Sequence, residues 1–193
     1  MDVILGLDVS SSVIGWSIIE NITHAAPFMK PIMWGHIDLR NEKGGFWAKV
    51  DVMEHEMSRI ISSIHYGGYS ITKLMIEDPV EKFKRGSSSA HTIALLARFN
   101  ALVSQHVRRE TGLLPLYVDA TAARRAIGVP LLSKKKSGGI DHKQQTFTFL
   151  CETVFSGVAW PLNRAGNIEI WNFDRVDSYV ICLAGCLGLG EPY

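Results

Sequence analysis

Residues 3–20 read VILGLDVSSSVIGWSIIE, and the fold turns on this stretch. Two β-rich apolar runs, 3–8 and 13–20, flank Val9-Ser10-Ser11-Ser12, a linker of hairpin length and composition. The first run closes on Asp8, where alternation would give a hydrophobic or neutral residue; a turn-initiating Asp is the local explanation. A later strand, TKLMIE at 72–77, also finishes on an acid, Glu77, whose local explanation is a charge facing solvent at a strand end. Asp174 and Asp177 stand three residues apart at the start of an apolar helix, so both project from one face. Helix capping and dipole placement would account for Asp174, less well for Asp177.

Working outward, PIMWGHIDL at 31–39 is a third strand, reached through a loop with Pro27. Phe46, Val50, Met53, Met57, Ile60, Ile61 and Ile64 recur at helical intervals and predict a helix over 46–65, stopped by Gly67-Gly68. A helix capped by Ser87, Ser88 or Ser89 runs to about Arg109, with a stripe of Ile93, Leu96, Phe99, Leu102, Val103 and Val107. Then follow a strand at 114–118, a short helix at 120–127, a loop SKKKSGG at 133–139, and helices at 141–156 and 174–187. Three strands and a helix, then strands alternating with helices, predict a mixed α/β fold in one domain spanning 1–193.

The charge is divided along the chain. Residues 82–143 carry twelve Lys or Arg and three acids, for +9, while the rest carries eight basic and sixteen acidic residues, for −8. A net charge of +1 excludes a generic polycation, but a basic third set against clustered carboxylates suits an enzyme that holds a polyanion. A solvated helix face is the plainer account of the same run. Cys151, Cys182 and Cys186 are too few for a disulfide framework; the last two, four apart in an apolar run, read as buried helix. Neither a signal peptide nor an apolar membrane span is visible, so the expectation is a soluble cytoplasmic chain in a reducing compartment.

If the strand ending in Glu77 lies beside the strand ending in Asp8, and the last helix packs across their carboxyl ends, four carboxylates converge. Like charges so close are costly and call for divalent cations. All-oxygen ligation suits Mg²⁺ or Mn²⁺ rather than zinc. Two such ions can activate water and stabilise the leaving oxygen in phosphodiester hydrolysis.

These residues carry a resemblance. ILGLDVSSSVIGWSII resembles the first motif of RuvC-like Holliday junction resolvases, LMIEDP the second, and NFDRVDSYVICLAG the last. The resemblance implies a ribonuclease H-like fold with a mixed five-stranded sheet, its first three strands antiparallel, flanked by helices. It implies that Asp8, Glu77, Asp174 and Asp177 hold two Mg²⁺ ions, with Mn²⁺ able to substitute. YVDATAARRAIGV followed by DHKQQTF is similar to the family's basic stretch, so Lys143 matches a lysine that stabilises charge at the scissile phosphate. Arg124 or Arg125 matches an upstream lysine that contacts the DNA backbone. Phe83 is the nearest match to an aromatic that wedges at the crossover. Lys82, Lys84, Arg85, Lys134, Lys135 and Lys136 join the DNA-binding set. The implied partners are four-way or otherwise branched DNA and a second copy of the chain, with the helix at 87–109 contributing to a homodimer. Val9-Ser10 replaces the family's usual Pro-Gly and SKKKSGG looks inserted, which points to a phage or viral member.

Two other readings share the fold. One keeps the chemistry but acts on forks, flaps or RNA. The other is an actin-like ATPase, in which VSSSVIG would embrace phosphate; no second glycine-rich phosphate loop or adenosine motif accompanies it.

Overall fold

Strand β1 (Asp2–Val9) forms the middle of a five-stranded sheet ordered β3-β2-β1-β4-β5, with β2 at Val13–Glu20, β3 at Met33–Asp38, β4 at Ser70–Glu77 and β5 at Pro115–Val118. The computed structural model describes residues 1–22, 28–79 and 90–192. β1, β2 and β3 pair antiparallel, while β4 and β5 add parallel to β1. This is the mixed sheet expected from the sequence. The parallel β1–β4 pairing brings the ends carrying Asp8 and Glu77 to the same edge.

The hairpin explains why Asp8 is not a turn residue. Ser10 does that work: its hydroxyl oxygen accepts from the backbone N–H of Ser12 and Val13 and donates to the Val13 carbonyl. Asp8 stays inside the ladder, opposite Gly15.

Side chains alternate across a strand, and the two faces of β1 enter different cores. Val3, Leu5, Leu7 and Val9 pack with Ile14, Ile18, Leu74 and Ile76 beneath helices α1 (Gly45–Tyr66) and α2 (Ala90–Thr111). Ile4, Ile19 and Met75 pack on the other face with α3 (Ala120–Ala126), α4 (His142–Thr153) and α5 (Trp171–Cys186). The same alternation puts Asp8 and Glu77 on the α5 face. It also separates Glu77 from Asp78, which periodicity in the sequence left open.

α1 ends as expected at Gly67-Gly68, with Gly68 at φ +79°, a left-handed conformation that glycine adopts without strain. In α2, Phe99, Val103 and Val107 are buried against the sheet, whereas Ile93 and Leu96 are only half-buried. The serines proposed to cap α2 lie outside the described residues. So do Lys82, Phe83, Lys84 and Arg85.

Helix α5 begins one turn earlier than the sequence suggested, at Trp171. Asp174 is therefore an internal helical residue and not the cap, which corrects the capping explanation. α5 lies directly on β1 and β2 because the strands are bare where it crosses. A Cβ on Gly6 would come within 2.5 Å of the Cys182 sulfur and the Ser178 carbonyl oxygen. Ser17 and Ser178 hydroxyls bond at 2.7 Å, and the Cys182 thiol donates to the Ser17 carbonyl at 3.1 Å. The three cysteines are free, and Cys182 is buried in this contact. No described helix is long and apolar enough to cross a membrane.

Candidate active site

At the carboxyl ends of β1 and β4, beside the first turns of α5, the predicted acids meet. Asp8 and Asp177 are buried, Asp174 is 9% exposed, and Glu77 is partly buried. The Glu77 carboxyl hydrogen-bonds to Asp8. Lys143, in the first turn of α4, reaches into the group. Its ammonium stands 2.9 Å from Asp8 Oδ2, 2.5 Å from Asp174 Oδ1 and 3.3 Å from Asp177 Oδ2. All five residues assigned to catalysis from the sequence thus share one site.

Arg124 is part of the same site. Its Nε donates to Asp177 Oδ1 at 3.2 Å and its Nη2 to Asp177 Oδ2 at 2.8 Å, a two-pronged pair with both side chains buried. The sequence reading grouped Arg124 with surface cations that touch a DNA backbone. The signal that separates it from Arg125 was present: Ala120, Ala123, Arg124 and Ile127 recur at helical intervals, and all four are buried. Arg125 falls on the exposed side of α3. Lys134, Lys135 and Lys136 are exposed in the turn after α3.

The electrostatics follow from four carboxylates facing two cations. Burial pushes Asp8 up, but Lys143, the Glu77 hydrogen bond and Arg124 outweigh it and hold the carboxyl below its ordinary range. Glu77 moves the other way, raised well above the usual carboxylate value by burial, by the Asp8 charge and by the hydrogen bond it donates. The two behave as one ionised and one protonated carboxyl sharing a proton. Burial also raises Asp174, to about 6, against the pull of Lys143. Asp177 is raised by burial against Lys143 and Arg124. Burial would lower Lys143, yet the charges of Asp8, Asp177 and Asp174 raise it overall, so its ammonium stays charged.

Among the described residues no three metal-binding side chains stand as a preformed cage. The Lys143 ammonium instead stands among Asp8, Asp174 and Asp177. The donor set itself fits a hard divalent cation: it is all oxygen, and with all four carboxyls ionised it carries two more negative charges than Lys143 and Arg124 balance.

Aromatic residues crowd the β3 side. His36 stacks on Trp171 with ring centroids 4.0 Å apart, and the Arg175 guanidinium lies over Trp34, Trp160 and Trp171. Sequence reasoning gave these residues no role. They fix the start of α5, and with it the backbone that carries Asp174.

No protein-family model matches this sequence, and no curated protein matches it in sequence. Solved structures do match the fold. RuvC of Thermus thermophilus aligns over 99% of both chains at 13% identity with a TM-score of 0.59. The same organism's RuvC in complex with a Holliday junction substrate aligns over 100% of both chains at 12% identity, TM-score 0.60. The yeast mitochondrial Holliday junction resolvase Ydc2 aligns over 95% of this chain and 77% of its own at 12% identity, TM-score 0.53. The chain has the fold of these resolvases, the ribonuclease H-like architecture expected from its motifs.

Proposed function

We propose that this chain, as one nuclease domain over 1–193, is a metal-dependent, structure-selective endonuclease that hydrolyses phosphodiesters in branched DNA, four-way Holliday junctions in particular. The observation that carries the reading is the meeting of Asp8, Glu77, Asp174 and Asp177 around Lys143, on a fold shared with junction resolvases.

Asp8, Glu77, Asp174 and Asp177 would hold two Mg²⁺ ions, with Mn²⁺ as a substitute. Bound metal supplies an activated water and positive charge for the leaving oxygen. Asp8 is held ionised and Glu77 protonated, so Glu77 would release its proton to solvent before serving as a ligand. Lys143 exchanges part of its carboxylate contacts for the scissile phosphate. Arg124 holds the Asp177 carboxylate in a fixed plane through its two hydrogen bonds.

Exposed Arg125, Lys134, Lys135 and Lys136 would contact phosphates outside the reacting centre, as would Lys82, Lys84 and Arg85, with Phe83 as the wedge. A four-way junction has two-fold symmetry, so a homodimer with an isologous interface places one site on each of two strands. The half-buried Ile93 and Leu96 of α2 are the apolar surface offered for that contact.

The test compares four-way, Y-shaped, flapped and linear DNA, and structured RNA, with Mg²⁺ present. Paired symmetric nicks near the crossover, abolished by Asp8→Asn while junction binding persists, are the expected result. Wild-type cleavage rates in Asp8→Asn would sink the site. Faster cutting of forks, flaps or RNA would reassign the substrate.

A further inference from the structure

On the face of the sheet away from the four carboxylates, helix α2 buries two polar side chains among apolar ones. Phe99, Val103 and Val107 form its apolar stripe, and beside them Asn100 and Ser104, one turn apart, are 3% and 5% exposed. Taking an amide and a hydroxyl out of water is unfavourable unless both find partners, and apolar side chains would pack there without that cost. Both do find partners. The Ser104 hydroxyl donates to Asn100 Oδ1 at 3.3 Å, and Asn100 Nδ2 donates to the Glu77 backbone carbonyl at 3.3 Å. The Ser104 bond holds the amide with its NH2 group turned toward that carbonyl.

The contact falls where the sheet stops holding β4. Paired residues between β1 and β4 end at Leu7 and Ile76, so Glu77 keeps a ladder partner only on the β5 side, Val118. The Asp78 backbone N–H donates to the Val118 carbonyl at 2.9 Å. In a trans peptide the C=O and the N–H point to opposite sides. The peptide joining Glu77 to Asp78 is therefore gripped by β5 from one side and by Asn100 from the other. The Glu77 carboxyl lies on the opposite face of the sheet, hydrogen-bonded to Asp8. Asn100 meets Glu77 through the main chain, across the thickness of the sheet.

We infer that Asn100, oriented by Ser104, is a positioning residue for Glu77, fixing the backbone from which that carboxyl reaches a bound divalent cation. The inference rests on the nuclease reading above and adds to it a determinant of metal affinity on the far side of the sheet. Partners that orient a metal ligand are typically worth about 10–100-fold in metal affinity or activity. A bond made to the backbone rather than to the carboxyl itself belongs at the lower end of that range.

The experiment is Mn²⁺ titration calorimetry on the full chain without DNA, alongside the Mg²⁺ concentration that half-saturates cleavage of a four-way junction. Asn100→Leu keeps an apolar side chain of similar size in place and removes the donor; it is expected to weaken Mn²⁺ binding by about tenfold. Ser104→Ala leaves the amide present but unoriented, and is expected to weaken binding by less, in the same direction. The half-saturating Mg²⁺ should rise in step for both. A role in folding alone would lower the melting temperature and leave the metal affinity of the folded protein unchanged. Because Asn100 acts through Glu77, adding Asn100→Leu to Glu77→Gln should cost less than about twofold further. Unchanged metal affinity in the variants, or a full further loss in the Glu77→Gln background, overturns the inference while the nuclease reading stands. If Asn100→Leu does not fold, Ser104→Ala decides by the same two readings. A wild type that neither binds Mn²⁺ nor cuts any branched DNA overturns the nuclease reading and this inference with it.

Discussion

Gly15 leaves bare the point where the Asp174 backbone rests: a Cβ there would stand 2.1 Å from the Asp174 carbonyl oxygen. Because Gly15 is also the ladder partner of Asp8, the glycine sets the approach of one carboxylate-bearing element to another. Gly15→Ala would force backbone against backbone, which a flexible side chain cannot relieve. Overpacking of this kind costs about 1–3 kcal/mol. The melting temperature should fall by several degrees, and cleavage of a four-way junction should fall further than the folded fraction does. Thermal unfolding and nicking rates measured on the same preparation check this; a fully active Gly15→Ala protein would mean α5 is not held where the site needs it.

The Arg124–Asp177 pair is buried on both sides, and removing one member strands the other. Breaking such a pair typically costs about 3–5 kcal/mol. Arg124→Ala should therefore destabilise strongly in urea unfolding, although Lys143 remains 3.3 Å from Asp177 and moderates the loss. Arg124→Lys keeps the charge and forfeits the two-pronged geometry, so it should recover part of the stability. The double variant Arg124→Ala with Asp177→Ala should lose less than the two single losses combined. Additive losses would show that the pair is not coupled.

Asp174 makes the metal-free protein sensitive to pH in a definite direction. Burial raises its carboxyl to about 6 from an ordinary value of 3.8, so between those values the folded chain binds the proton and the unfolded chain releases it. Stability then falls as pH rises from about 4 to about 6, by at most roughly 3 kcal/mol from this group. Glu77, raised by burial and Asp8, acts in the same sense. Asp8 and Asp38 are lowered, so their opposite contributions fall below pH 4. Melting temperatures in EDTA should therefore decline across this window for the wild type and less steeply for Asp174→Asn. Equal slopes would remove Asp174 as the source.

The layout of these elements was legible in the sequence because each signal was local. Alternation over 3–20, the helical stripes of α1 and α2, and the glycines after α1 all report on neighbours within one or two turns. Asp8, Glu77, Asp174 and Asp177 were legible as acids out of place in apolar runs. The burial of Arg124 on Asp177 was not drawn from the sequence, because the charge of a basic run masks the period that buries one arginine and exposes the next. The start of α5 was misplaced because Trp171 is anchored by His36 of β3, about 135 residues earlier, a contact no local window contains. Nor does any local signal reveal that Gly15 and Gly6 are contact surfaces for a helix about 160 residues later.

Lys143 now serves as the cation among three carboxylates, and its removal separates two roles. Without it, Arg124 alone faces four carboxylates, and mutual repulsion among the buried charges should lower the stability of the metal-free protein. A divalent cation can supply the missing charge without first displacing an ammonium. Lys143→Ala should accordingly gain more in melting temperature from added Mg²⁺ than the wild type does, since a ligand bound only to the folded state stabilises it more the tighter it binds. Mn²⁺ titration calorimetry should show tighter binding to the variant. Cleavage should nevertheless fall, because in the proposed mechanism the ammonium meets the scissile phosphate. If Mg²⁺ shifts neither melting temperature, the four carboxylates do not bind the metal; if Lys143→Ala cleaves at full rate, the lysine only holds the site together between turnovers.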